Sequence, residues 1–463
     1  RVHLDVIGVL PQVDRVKEFL ADEGQDKRSR QIDELLERPE YARYWALKRA
    51  DILRVRKQSL TVGGVHKYYE WLVDSVQKNM PFDEFARQLL TAGGSTFANP
   101  AANYYRTATE ANDCAETTAQ LFMGVRIQCA KCHNHPFERW TQDNYYGLAA
   151  FFNRVKRKNS KRDGELVVWM ARNGEVTQPR TGKTMRPWLP LTGDVEQQDE
   201  TDRRQILSKW LTGPENPFFS RVAGNRIWAH IMGRGIVDPV DDFRLTNHPT
   251  HPELLEALAQ EFRDNNHDVK QLIRLIVGSR TYQLSSEAND TNQGDTINYS
   301  YRIPRPLDAE ILLDAISQLT GVSETYEKSA TGAVLPAGIR AINIVRPDAF
   351  PTGFLNAYGQ PSRQTVSERK VDPNLAQALH VLAGGTYNKK VSAEGGRVDG
   401  LVKKGASHDE IIEELYLAAL SRFPTDRERS LLKKMIIGAE SKRHAIEDLM
   451  WGVIASREFA YNH

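Results

Sequence analysis

Apolar residues return at helical spacing over most of this 463-residue chain. That period restricts it to a fold built mainly from packed helices. Ile32, Leu35 and Leu36 mark one such face. Tyr44, Trp45, Leu47, Ile52 and Leu53 mark another, within 41–55. The residues Leu254, Leu255, Leu258, Ala259 and Phe262 give the same signal over 252–262, and 14–21, 269–277, 307–319, 375–382 and 409–420 follow it. Pro81 opens a further helix with Asp83 and Glu84 in its first turn, where acids favour the positive end of the helix dipole. Asp268 is placed to cap the 269–277 helix. The pattern predicts one helix from Cys114 to Gln128 and a short apolar one from Tyr145 to Phe152.

The stretch 156–200 breaks this period. A basic run from Val155 to Arg162 precedes Leu166-Val167-Val168-Trp169-Met170 and then Asn173-Gly174, a turn dipeptide, before Val176. We read a small β-hairpin over about 165–178. Pro179, Pro187 and Pro190 mark an extended connection after it. The expected organisation is therefore mainly α and multi-helix: an N-terminal helical domain over 1–155, a linker with the hairpin over 156–200, and a C-terminal helical domain over 201–463. The basic run reads as a solvated loop, or as a surface for an anionic polysaccharide or acidic partner.

Composition narrows the function classes. Lys and Arg number 62 against 60 Asp and Glu, a net charge of +2, which gives no support to nucleic-acid binding. No apolar run is long enough to span a membrane. No P-loop, dinucleotide-binding or nucleophile-elbow motif is present.

One motif carries specific chemistry. The pentapeptide Cys129-Ala130-Lys131-Cys132-His133 holds two of the three cysteines. Its C-x-x-C-H spacing is that of c-type haem attachment: two thiols form thioethers with the vinyl groups, and the following histidine ligates iron. His133 is the expected haem-iron ligand. Trp140 and Tyr145, with Phe137, Tyr146, Phe151 and Phe152, supply aromatic area for packing a cofactor, or for an ordinary core. Met123, His66, His135 and His230 are candidates for the opposite face of the iron. An alternative is zinc or another transition metal held by Cys129, Cys132, His133 and His135, or with Cys114 as fourth ligand. A disulfide or packed thiols is a third reading. Covalent haem is attached outside the cytoplasm, so the motif predicts an exported, periplasmic protein whose leader is not part of this sequence.

A second constellation comprises Arg226, His230, Arg234, Asp238, Asp241, Asp242 and Arg244. Arg226 and His230 stand four apart and share a helical face. The three aspartates could bind a hard cation, orient the arginines, or form a buried ion-pair network with them. Arg226, His230, Asp241 and Asp242 are the catalytic candidates, with ion pairing the favoured role.

The block from Gly124 to Phe137, continuing into Trp140-Thr141-Gln142 and 145–152, resembles the planctomycete cytochrome-associated family, whose two domains of unknown function occur in tandem. Asn225-Arg226-Ile227-Trp228-Ala229-His230, the stretch 233–244, His251-Pro252-Glu253-Leu254-Leu255 and Ser279-Arg280-Thr281-Tyr282-Gln283 are similar to the second domain's hallmarks. Segments 359–363, 375–380 and 414–422 extend the likeness over nearly the whole chain. The resemblance implies export and an association with cytochromes and with polysaccharide-rich lifestyles. It brings no settled reaction. Family members often carry a cysteine after the segment matching Gln364-Thr365-Val366, where this chain has Ser367-Glu368-Arg369. The combined expectation is an exported c-type haem protein with a redox role, either electron transfer through a partner protein or oxidation of a carbohydrate-derived substrate. A non-haem Cys/His metalloprotein or an extracellular glycan-binding or glycan-processing module is the alternative.

Overall fold

The computed structural model describes all residues except 137, 197–201, 329–331, 333, 367, 368 and 370–372. Phe137 and the Ser367-Glu368 pair therefore lie outside the described residues. The protein is mainly helical, with only short strand pairs, as the periodicity requires.

Helix Pro39–Ile52 is the spine of the molecule. It is buried on most sides, its charged Arg49 and Asp51 included. Tyr41, Tyr44, Trp45 and Leu47 enter a first core. Ala46, Ala50 and the following Leu53 enter a second. The first core joins helices Val2–Ile7 and Lys27–Glu37 to Phe219–Met232, Pro252–Asp264, Val269–Gly278, Ala309–Thr320, His408–Leu420 and Lys442–Ile454. It thus draws on both ends of the chain. The second core packs Lys57–Gln77 and Phe82–Thr91 against Ala111–Thr118, Gln142–Ala149 and Arg203–Leu211. Helix Val269–Gly278 begins as expected, with the Asp268 carboxylate accepting from Gln271 N.

The helix expected over 114–128 stops early. Ala111–Thr118 runs into a π-helical turn, Ala119–Met123, and Gly124 ends it at φ 64°. A Cβ at Gly124 would lie 2.6 Å from the Phe243 ring, and Phe243 N donates to the Gly124 carbonyl. This left-handed turn needs glycine twice over, for its φ and for the ring against it. It also carries Arg126 round toward the 238–244 loop.

The hairpin exists, but with another partner and turn. Leu166–Met170 pairs antiparallel with Val155–Asn159, Arg157 facing Val168, and Gly94–Ser95 adds to its other edge. The basic run is thus a strand rather than a loop. Lys156 and Lys158 are exposed, while Arg157 donates to the Tyr105 carbonyl at 2.7 Å. Ser160 and Glu165 close the turn through a 2.6 Å side-chain hydrogen bond. Asn173-Gly174 lies beyond this pair, ahead of Val176–Thr177, which pairs with Thr184–Met185. The dipeptide closes neither hairpin and only connects two strands that do not pair, and alternating Lys and Arg hid the strand ahead of it.

Candidate functional site

Two regions hold the residues singled out above. The first is the C-x-x-C-H segment. A short 3₁₀ turn, Gln128–Lys131, presents Cys129, Cys132 and His133 to solvent. Both thiols are free. Helix Gln142–Ala149 fixes the segment from beneath. A capping box between Thr141 and Asn144 starts that helix. Its Gln142 and Tyr146 side chains both donate to the Lys131 carbonyl, at 3.0 and 3.2 Å. Gln142 N donates to the Asn134 side chain at 3.0 Å, and His135 N to the Trp140 carbonyl at 2.8 Å. His133 Nδ1 lies 2.8 Å from the Asn134 carbonyl. A carbonyl only accepts, so Nδ1 donates to it, and the tautomer this bond selects leaves the Nε2 lone pair for a ligand.

The expected aromatic partners take a different place. Trp140 and Tyr145 are buried beneath the segment rather than standing around it. Trp140 meets Trp188 edge-on, with ring centroids 6.1 Å apart. Gly147 permits that wall, since a Cβ there would come within 2.6 Å of Trp188. Tyr145 donates to Glu116, and burial followed by that bond pushes its hydroxyl pKa well up. Cys132 adds to the upward shift at both Tyr145 and Tyr146, so the thiol stands near their rings. Cys114 is elsewhere: buried, with its thiol donating to the Ala108 carbonyl and its pKa pushed up to about 12 by burial. Met123 is fully buried in the second core. Among the described residues no group of three or more His, Cys, Asp or Glu side chains converges to hold a metal ion, the aspartate loop and the His135 set included.

The second region is a cavity of about 640 Å³ between the spine helix, Phe219–Met232, the 233–241 loop and the 119–126 segment. It lies where the N-terminal and C-terminal parts of the chain meet. One wall is apolar, with Trp45, Phe82, Phe85, Leu121 and Phe122. The rest is densely charged: Lys48, Arg49, Arg126, Arg226, Arg234, Arg305 and Arg369 face Asp51, Asp238, Asp241 and Asp308. The exposed Asp238 and half-exposed Arg126 and Arg234 form its outer part.

Three of the four sequence candidates line it. Arg226 and His230 do share one helix face, and Asp241 stands opposite. Asp242 does not line the cavity; it is buried beside Arg244, 3.5 Å away. Asp241 accepts from Arg126 and Gln120. Burial alone would raise its pKa, but those two bonds outweigh burial and hold it below the usual carboxylate range. Asn225 pins the adjoining loop by gripping both backbone groups of Val237, at 2.8 and 3.0 Å. His230 Nε2 lies 3.0 Å from the Tyr44 hydroxyl. Burial holds the tyrosine protonated, and burial with Lys48 and Arg305 nearby keeps the imidazole neutral. Tyr44 therefore donates to Nε2, and the proton sits on Nδ1.

Behind the cavity lie two ion networks that sequence reasoning missed. Asp51 accepts from Arg363 and Arg369 at 2.9 and 2.7 Å, and Arg369 continues to Glu310. Asp5, fully buried, gathers Arg302, Arg305, Tyr282 and Asn462. A signal existed: Asp5 within Leu4-Asp5-Val6-Ile7, and Glu310 and Asp314 in an apolar helix, are acids that demand buried partners. Their partners lie from tens of residues away, as Arg340 for Asp314 and Arg369 for Glu310, to nearly three hundred, as Arg302 for Asp5, and leave no local mark.

A buried charged junction and, apart from it, an exposed Cys/His segment thus mark a two-part, mainly helical protein. Residues 1–157 match the family described as "Protein of unknown function (DUF1549)", PSCyt2, and residues 203–436 match "Protein of unknown function (DUF1553)", PSD1. The chain belongs to the DUF1553 family, with the DUF1549 domain ahead of it in tandem; both are planctomycete cytochrome-associated family names. No curated protein and no solved structure matches it.

Proposed function

We propose that Cys129 and Cys132 would hold a covalently attached c-type haem, with His133 as a ligand to its iron, and that the protein is an exported electron carrier. The observation that supports this is the state of His133. Its Nδ1–H is engaged by the Asn134 carbonyl and its Nε2 is left to ligate, the arrangement that metal-bound histidines require. The two free thiols stand beside it on the surface, open to thioether formation. When bound, the haem supplies one-electron redox chemistry.

The chain's own residues do the positioning. Gln142, Tyr146 and Asn134 hold the turn in register, and buried Trp140 and Tyr145 make a rigid floor. The segment faces solvent and does not line the cavity, which favours electron transfer to a partner protein over oxidation of an enclosed sugar. Among the described residues no helix is long and apolar enough to cross a membrane. Haem attachment outside the cytoplasm supports a periplasmic or otherwise exported location. The test is expression in an export-competent, haem-maturing host followed by acid–acetone extraction. Colour retained on the polypeptide, and lost in Cys129→Ala/Cys132→Ala, supports the reading. Colourless protein with free thiols from the same host rejects it.

A further inference from the structure

The cations that line the cavity are neutralised unevenly. Lys48 pairs with Asp308, Arg126 with Asp241, Arg234 with Asp238 and Arg369 with Asp51. Arg305 is taken up by Asp5 behind the wall. Among the described residues, Arg49 pairs with no carboxylate. It is only 9% exposed, its Nη1 donates to the Ser75 hydroxyl at 3.0 Å, and its guanidinium lies 4.4 Å from the centre of the Phe85 ring. Ser75 is itself committed to the Leu72 carbonyl. Burial without an anion lowers the Arg49 pKa to about 10.

A buried cation with no counter-ion is costly, and an anion entering the cavity would relieve that cost. The same cavity wall supplies Trp45, Phe82, Phe85 and Phe122, an aromatic surface beside the charge. Its volume of about 640 Å³ falls within the range of small-molecule sites.

We propose that this cavity binds a small organic carboxylate, the carboxylate on Arg49 and the apolar body on the aromatic wall. Arg49 selects for negative charge, because an uncharged analogue leaves the guanidinium uncompensated. The site is separate from the Cys/His segment, so the proposal stands or falls independently of haem attachment.

The probes are 2-naphthoate and its uncharged counterpart 2-naphthamide, titrated calorimetrically into the full chain. The expected result is naphthoate binding with a Kd at or below about 1 mM and naphthamide weaker by about tenfold or more. Arg49→Gln should bring naphthoate down to the naphthamide level and leave naphthamide unchanged. Absence of naphthoate binding, equal affinity for the two probes, or unchanged selectivity in a folded Arg49→Gln variant would each overturn the proposal. Should that variant not fold, the wild-type comparison of the two probes decides it alone.

Discussion

The Cys/His segment and the charged cavity differ in what holds them and in what they do for the fold. The segment is a solvent-facing turn fixed by hydrogen bonds to one helix, and its three reactive side chains contribute little packing. Around the cavity, buried ionised groups such as Asp5 and Asp51 are held by partners from distant parts of the chain. Chemistry can be removed from the first at small structural cost. In the second, removing a charge also removes a strut.

Substitutions should expose that contrast. The largest effect belongs to Asp51→Ala, which leaves the buried guanidinium of Arg363 and part of Arg369 uncompensated. Removing one partner of such a network costs on the order of 3–5 kcal/mol. Urea denaturation should show it as a lowered midpoint, and an unshifted midpoint would break the comparison.

Asp241→Ala should be milder. Its partner Arg126 is 45% exposed and can turn to water, so the cost should be about 1–3 kcal/mol, as for a lost hydrogen bond to a charged group. A double-mutant cycle with Arg126→Ala isolates the pair, and no coupling would show that Asp241 acts through something else. A normal melting temperature for Asp241→Ala would return it to the catalytic candidates.

Next comes pH. The His230 imidazole is held well below its ordinary pKa by burial, while in the unfolded chain it takes up a proton below about pH 6.5. Its contribution is complete above that value and is lost as pH falls, at about 1.4 kcal/mol per unit. Thermal melts between pH 7 and 5 should show a shallower decline for His230→Gln than for the wild type. Parallel curves would mean that the ring is protonated in the fold.

The smallest stability effect is expected at the segment. Cys129→Ala, Cys132→Ala and His133→Ala should each change stability of the haem-free protein by no more than about 0.5 kcal/mol, the range for exposed positions. A large loss there would show that the turn is structural.

Much of this was legible in the sequence, but not evenly. Helices with strong apolar periodicity, such as 252–262 and 269–277, lie within a few residues of their expected bounds, because burying one face is a local property. The Cys/His motif was legible because its chemistry needs adjacent residues. The helix over 114–128 ran too far because Gly124 takes its φ from Phe243, more than a hundred residues on. Arg226, His230 and Asp241 were found through their shared block, yet the cavity they line was not, since much of its wall comes from residues 45–126. Arg49 carried no sequence signal at all. Nothing in the local pattern says that a lysine or arginine on an apolar helix will lack a carboxylate.

The most direct test of the proposed redox role is the intact mass of protein secreted by a haem-maturing host, read beside its reduced absorption spectrum. The account predicts a mass increased by one haem, lost when Cys129 and Cys132 are both replaced, and a Soret band that His133→Ala perturbs while the mass increase remains. An unmodified mass with both thiols open to alkylation would contradict it.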